Sequence, residues 1–132
     1  MPPKKILLAE DDADDRLFFQ EFLQSRPDVT LLPVVENGVE LFDVLDGTAD
    51  KMALPDAIIL DQNMPKRNGL QTLQLLKRHH QYAHIPVMVY STYADENLVR
   101  QSTAAGAAIV IPKPVTAEGY HHMIDTFFSV LG

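Results

Sequence analysis

A chain of 132 residues, 46% of them hydrophobic, can bury one core but leaves no room for a second domain of ordinary size. One domain over 1–132, with its core in 5–131, is therefore expected. Eighteen acidic against 11 basic residues give a net charge of −7, which argues against binding nucleic acid by neutralising phosphates. There is no cysteine, which excludes disulfides, thiolate catalysis and Cys-based zinc sites.

After Met-Pro-Pro-Lys-Lys comes a short apolar run, Ile6-Leu-Leu-Ala9. It is too short for a secretory signal or a membrane span, so a cytoplasmic protein with no membrane partner is expected. The run instead reads as a first strand, followed by a helix with Phe18, Phe19, Phe22 and Leu23 on one face. Leu31 to Val35, interrupted by Pro33, reads as a second strand, and Leu41, Phe42 and Leu45 mark a second helix. Gly47 to Pro55 reads as a loop leading to a third strand, Ala57-Ile-Ile-Leu60. Asn68-Gly69 opens a helix with Leu70, Leu73 and Leu76 in register, and Val87-Met-Val-Tyr90 is a fourth strand. A weaker helix runs from about Asp95 to Ala105, then a fifth strand from Ala107 to Ile111. The last helix carries the clearest stripe, Tyr120, Met123, Ile124, Phe127, Phe128 and Leu131. Five strands alternating with five helices predict an α/β fold whose parallel sheet is covered on both faces.

In such sheets functional residues gather at the carboxyl ends of the strands. Strand one ends in Glu10-Asp11-Asp12, strand three in Asp61, strand four in Ser91-Thr92 and strand five in Lys113-Pro114. Each piece alone has a plain structural meaning. An acidic triplet commonly caps a helix, as Asp12 and Asp14 could do here, and a lone Asp after a strand is commonly a turn residue. Their joint placement on one rim points further. Crowded carboxylates repel one another, and a hard divalent cation such as Mg²⁺ relieves that repulsion through oxygen ligands. With a lysine beside it, the arrangement suits reception of a phosphoryl group by positioning and charge neutralisation.

Ile-Leu-Leu-Ala-Glu-Asp-Asp (6–12), Pro-Asp-Ala-Ile-Ile-Leu-Asp-Gln-Asn-Met-Pro (55–65), Asn-Gly-Leu (68–70), Ile-Pro-Val-Met-Val-Tyr-Ser-Thr (85–92), Ala-Ala-Gly-Ala (104–107) and Pro-Lys-Pro (112–114) together resemble a response-regulator receiver domain, from Lys5 to Leu131. The resemblance implies a flavodoxin-like doubly wound sheet of five strands in the order 2-1-3-4-5. It implies that Asp61 becomes an aspartyl phosphate, with Mg²⁺ held by the carboxylates of Asp11 and Asp61, the backbone carbonyl of Asn63 and, through water, Glu10. Ser91 would hydrogen-bond one phosphoryl oxygen and Lys113 would pair with another. The donor would be a phosphohistidine of a sensor histidine kinase, and the Lys113-Pro114 peptide would be cis. The opening Asp-Asp-Ala-Asp-Asp-Arg and the Pro-Lys-Arg-Asn-Gly loop resemble stand-alone regulators that partner with bacterial phytochromes. Output is then expected through a downstream protein, a phosphotransfer protein or a homodimer made by helix 4, strand 5 and helix 5, and not through catalytic turnover.

The sequence departs from the family pattern at three places. Asn68 stands where an Asp is common, Thr92 follows the switch hydroxyl where a smaller residue is frequent, and Val110 stands at the aromatic or Thr switch position. Signalling is expected through Ser91, Thr92 and the following loop and helix, with Tyr90 or Tyr93 in place of the missing ring. A phosphatase of the haloacid-dehalogenase type would need a general acid two positions after Asp61, where Asn63 stands. A flavin-binding module would need a Ser/Thr/Gly-rich phosphate loop after strand one, where the chain is acidic. A receiver that has lost phosphorylation is disfavoured by the intact Asp61, Asp11, Ser91 and Lys113. His79, His80 and His84 read as helix C-terminal residues, His121 and His122 as an exposed helix edge, and Lys66 and Arg67 as solvated or kinase-facing.

Overall fold

The computed structural model describes residues 2–131. Its elements are β1 (Lys4–Ala9), α1 (Ala13–Leu23), β2 (Val29–Leu31), α2 (Gly38–Asp46), β3 (Ala57–Asp61), α3 (Gly69–Arg78), β4 (Val87–Ser91), α4 (Glu96–Ala105), β5 (Ile109–Pro112) and α5 (Ala117–Leu131). The strands form one parallel sheet in the order β2-β1-β3-β4-β5, the flavodoxin-like arrangement.

Strand periodicity divides the core in two. Leu7, Ala9, Ile58, Leu60, Val87 and Val89 pack against Leu41 and Leu45 of α2 and Leu73 and Leu76 of α3. On the other face Ile6, Leu8, Ile59, Met88 and Tyr90 meet Phe19 and Leu23 of α1 and Tyr120, Met123, Ile124 and Phe127 of α5. The three central strands are therefore buried and apolar over 6–9, 57–60 and 87–90, as bare hydrophobic runs predict. No described helix is long and apolar enough to cross a membrane.

Several details differ from expectation, three of them with a local cause. β2 covers Val29–Leu31 rather than Leu31–Val35. Pro33 has no N–H to give the ladder, so regular pairing stops before it. The chain beyond it still follows β1, through a single bridge between Ala9 and Val35. β5 begins at Ile109 rather than Ala107, because Gly106 ends α4 in the left-handed region (φ 108°) and the next two residues make the transition. The loop before β3 contains a short 3₁₀ turn, Lys51–Ala53, capped by Asp50.

The sheet order reverses around β1, so β1 and β3 diverge to helices on opposite faces. The crevice lies outside their carboxyl ends. Glu10 and Asp61 stand there.

Candidate phosphoacceptor site

Asp61 is the last residue of β3, only 1% exposed. Its position is set by backbone contacts with the first turn of α3. Asn68 caps α3 in a reciprocal box with Gln71, and the amide of Gly69 donates to the Gln62 carbonyl (3.2 Å). A Cβ on Gly69 would lie 2.7 Å from the carbonyl oxygen of Asp61 and 3.0 Å from Gln62 Cα. Glycine is what lets the helix approach this close. Asn68 thus caps the helix that Asn68-Gly69 was expected to open.

Glu10 is fully buried and Asp11 exposed, and with Asp61 each offers a carboxylate oxygen within 4.8 Å of the others. This all-oxygen donor set fits a hard divalent cation. Asp12 caps α1 by accepting from the Asp15 amide (3.0 Å), and Asp14 lies in the first turn. Arg16 Nη1 donates to the carbonyls of Glu10 (3.2 Å) and Asp11 (3.0 Å), pinning the acidic loop.

Lys113 reaches into this cluster. Its Nζ lies 2.8 Å from Asp15 Oδ2, 3.0 Å from Glu10 Oε1 and 3.3 Å from Asp61 Oδ2. The Lys113–Pro114 peptide is trans, since no described peptide bond is cis. This corrects the expectation of a cis bond: the flexible lysine stem spans to Asp61 from a trans backbone, the isomer X-Pro bonds favour.

Burial, then the hydrogen bond and charge of Glu10, push the Asp61 carboxyl up to about 8, against the pull of Lys113 and the Asn63 amide. For Lys113, burial acts to lower the pKa, but Asp15, Glu10 and Asp61 together hold it above the usual lysine range. The buried Tyr90 hydroxyl donates to Glu10, and burial followed by the Glu10 charge raises its pKa well above the usual value. Asp61 is thus a carboxylate whose charge is costly until positive charge gathers around it.

Ser91, 2% exposed, ends β4, and its Oγ accepts from the Tyr93 amide (3.2 Å). Thr92 is exposed, Val110 is half-buried beside Val89 of β4, and Asn63 is exposed with its amide on Asp61 Oδ1 (3.2 Å). Tyr90 packs edge-on against Phe19 (5.6 Å between centroids) and Tyr93 is 80% exposed. The two rings that could replace the missing aromatic therefore stand in opposite environments.

The described residues from 6 to 125 match the family model "Response regulator receiver domain". The chain belongs to the response-regulator receiver family. The receiver is 28% identical to the polar-differentiation response regulator DivK of Brucella anthropi, over 98% of each chain. It spans 51% of a longer relative, the probable C4-dicarboxylate response regulator DctR of Bacillus subtilis, at 29% identity over 93% of its own length. Among solved structures it is similar to the Mn(2+)-bound form of response regulator Rcp1 (28% identity, TM-score 0.79, 96% of this chain and 93% of that one). It is equally similar to the phosphorylated cyanobacterial phytochrome response regulator RcpA (28%, 0.79, 94% and 90%).

Sequence reasoning missed Asp15, Arg16 and the Tyr90–Glu10 bond in this receiver. Asp15 and Lys113 are 98 residues apart, and Tyr90 and Glu10 80 apart, so no local pattern marks either pair. The histidines stay away from the site. His79 is the α3 C-cap and stacks on Tyr82, while His80 and His84 line a cleft of about 560 Å³ with Asp46, at the amino ends of the strands. His122 is exposed, but His121 is half-buried, its carbonyl accepting from Arg26 (3.2 Å), a partner the expected exposed edge did not include.

Proposed function

We propose that the protein is a phosphoacceptor switch. Asp61 takes a phosphoryl group from the phosphohistidine of a sensor histidine kinase, and the altered conformation controls a partner protein. The observation that carries this reading is a buried carboxylate at a strand end, flanked by Lys113 at 3.3 Å and by two more carboxylates fit for a cation.

In the transfer, an Asp61 carboxylate oxygen attacks phosphorus, the phosphorus–nitrogen bond breaks, and its electron pair returns to the imidazole. An acyl phosphate results. Asp11 and Asp61, the Asn63 carbonyl and, through water, Glu10 would hold Mg²⁺, which neutralises charge on the phosphoryl oxygens when bound. Lys113 would pair with one phosphoryl oxygen and the Ser91 hydroxyl with another. Turnover is limited to slow hydrolysis that resets the switch, so the protein signals rather than catalyses.

A kinase of the phytochrome type is the first donor to try, given the likeness to RcpA. Such a donor fits a cytoplasmic receiver, with output through a downstream or phosphotransfer protein or through a homodimer on the α4–β5–α5 face. Incubation with labelled acetyl phosphate tests the core of the proposal. Label should enter with Mg²⁺ and not with excess chelator. Incorporation independent of divalent cation, or none at all, would refute it.

A further inference from the structure

We propose that Asp15 is a positioning residue that holds Lys113 in the resting protein and competes with the incoming phosphoryl group for it. This rests on Asp61 being the phosphoacceptor.

A lysine ammonium has three N–H donors. Here three carboxylates surround it: Asp15 accepts its hydrogen bond at 2.8 Å, and Glu10 and Asp61 form ion pairs with it at 3.0 Å and 3.3 Å. The ammonium also lies 5.1 Å from the Tyr90 ring centroid, and its side chain is only 13% exposed, so it has little access to water. A phosphoryl group on Asp61 brings new acceptor oxygens and close to two negative charges. Lys113 can serve them only by giving up a partner.

Asp15 is the partner placed to yield. Glu10 is fully buried and keeps the Tyr90 hydroxyl and the Asp12 amide as donors. The Asp15 carboxylate accepts only from Lys113 among the described residues, and its side chain is 25% exposed, so water can replace the lysine there at small cost. Asp15 belongs to the first turn of α1, outside the three carboxylates that could hold a cation, and its own amide is held by the Asp12 cap. Two effects then have the same sign. Neutralising Asp15 removes a competitor for Lys113, and it removes a negative charge beside the phosphoryl site. Both should tighten binding of a phosphoryl group or its mimic. A residue that merely supported the fold would weaken it when changed.

The test is a titration of the folded protein with beryllofluoride at saturating Mg²⁺, followed by ¹⁹F and amide NMR. Asp15→Asn and Asp15→Ala should each bind about fivefold more tightly than wild type, the scale of a part-exposed ion pair. Two variants are used so that a folding failure of one leaves the other to decide. Asp14→Asn, the same charge change on an exposed neighbour with no contact to Lys113, should change affinity less than about twofold, as expected for a screened surface charge. Unchanged or weaker binding in the Asp15 variants overturns the proposal, as does an equal gain from Asp14→Asn. Wild type that binds no beryllofluoride at all defeats the phosphoacceptor reading itself. Binding by wild type with unaltered Asp15 variants defeats the role of Asp15 alone.

Discussion

The Lys113 ammonium stands 3.3 Å from the Asp61 carboxylate across a trans Lys113–Pro114 peptide. The carboxylate and the ammonium meet at the ends of β3 and β5, with β4 between them. Burial and the Glu10 charge raise the Asp61 carboxyl, and the Lys113 charge acts against that rise.

That burial makes metal binding and stability pH-dependent. Asp61 is raised from 3.8 to about 8 without a cation, so its contribution to stability is fully present below about pH 4 and is lost as pH rises through about 8. Asp61→Asn should therefore stabilise the protein in chelator at pH 9 by about 2 kcal/mol, the direction expected when a costly buried charge is removed. Denaturant melts at pH 5 and pH 9 check this, and the gain should shrink at the lower pH. Mg²⁺ affinity should rise with pH through the same window, with proton release measurable by calorimetry in buffers of different ionisation enthalpy.

Gly69→Ala should misplace Asp61. The added Cβ meets backbone atoms of Asp61 and Gln62, which cannot swing away as a side chain would. A loss of about 2 kcal/mol is expected for such overpacking. Phosphorylation by acetyl phosphate should slow as well. A variant with wild-type melting and wild-type rate would show that the α3 start does not set the Asp61 position.

Tyr90→Phe keeps the edge-on contact with Phe19 but removes the donor to Glu10. Leaving a buried carboxylate short of one hydrogen bond should cost about 1 to 2 kcal/mol. Chemical denaturation measures it. An unchanged midpoint would mean that Lys113 and the Asp12 amide satisfy Glu10 without the hydroxyl.

Ser91 is expected to link the site to α4. Its Oγ accepts from the Tyr93 amide, so an Oγ that moves toward a phosphoryl oxygen should draw on or release the segment 92–95. The helix that follows is lightly anchored: only Leu98 and Ser102 are buried, and the Ser102 hydroxyl has no hydrogen-bond partner among the described residues. Val110 is β-branched, stiff at χ1, and supplies no ring to swing. Beryllofluoride should therefore shift amide signals across residues 92–105, and Ser91→Ala should keep binding while muting those shifts. Changes confined to the rim around Asp61 would contradict this route.

Much of the site is legible in the sequence because strand ends in a parallel sheet converge. Glu10, Asp11, Asp61, Ser91 and Lys113 each follow an apolar run, and the sheet order carries them to one rim. The helix start at Asn68-Gly69 is equally legible, since its residues act on their immediate neighbours. What stays hidden depends on tertiary distance. Asp15 looks like one more first-turn carboxylate until α1 packs on α5 and Lys113, just after β5, reaches it, and Tyr90 looks like a core ring until its hydroxyl meets Glu10. The limits of β2 are obscured because Val34 and Val35 are apolar enough for a strand, while Pro33 decides the ladder. The isomer at Pro114 has no local signature, and the lysine reaches its partners without the cis form.

The central claim rests on one residue, and one measurement addresses it most directly. The protein is incubated with acetyl phosphate and Mg²⁺, the acyl phosphate is reduced with borohydride, and the modified peptide is sequenced by mass spectrometry. Reduction is expected at Asp61, and none in Asp61→Asn. Modification at Asp11, Asp12 or any other carboxylate of the wild-type protein, with Asp61 untouched, would contradict it.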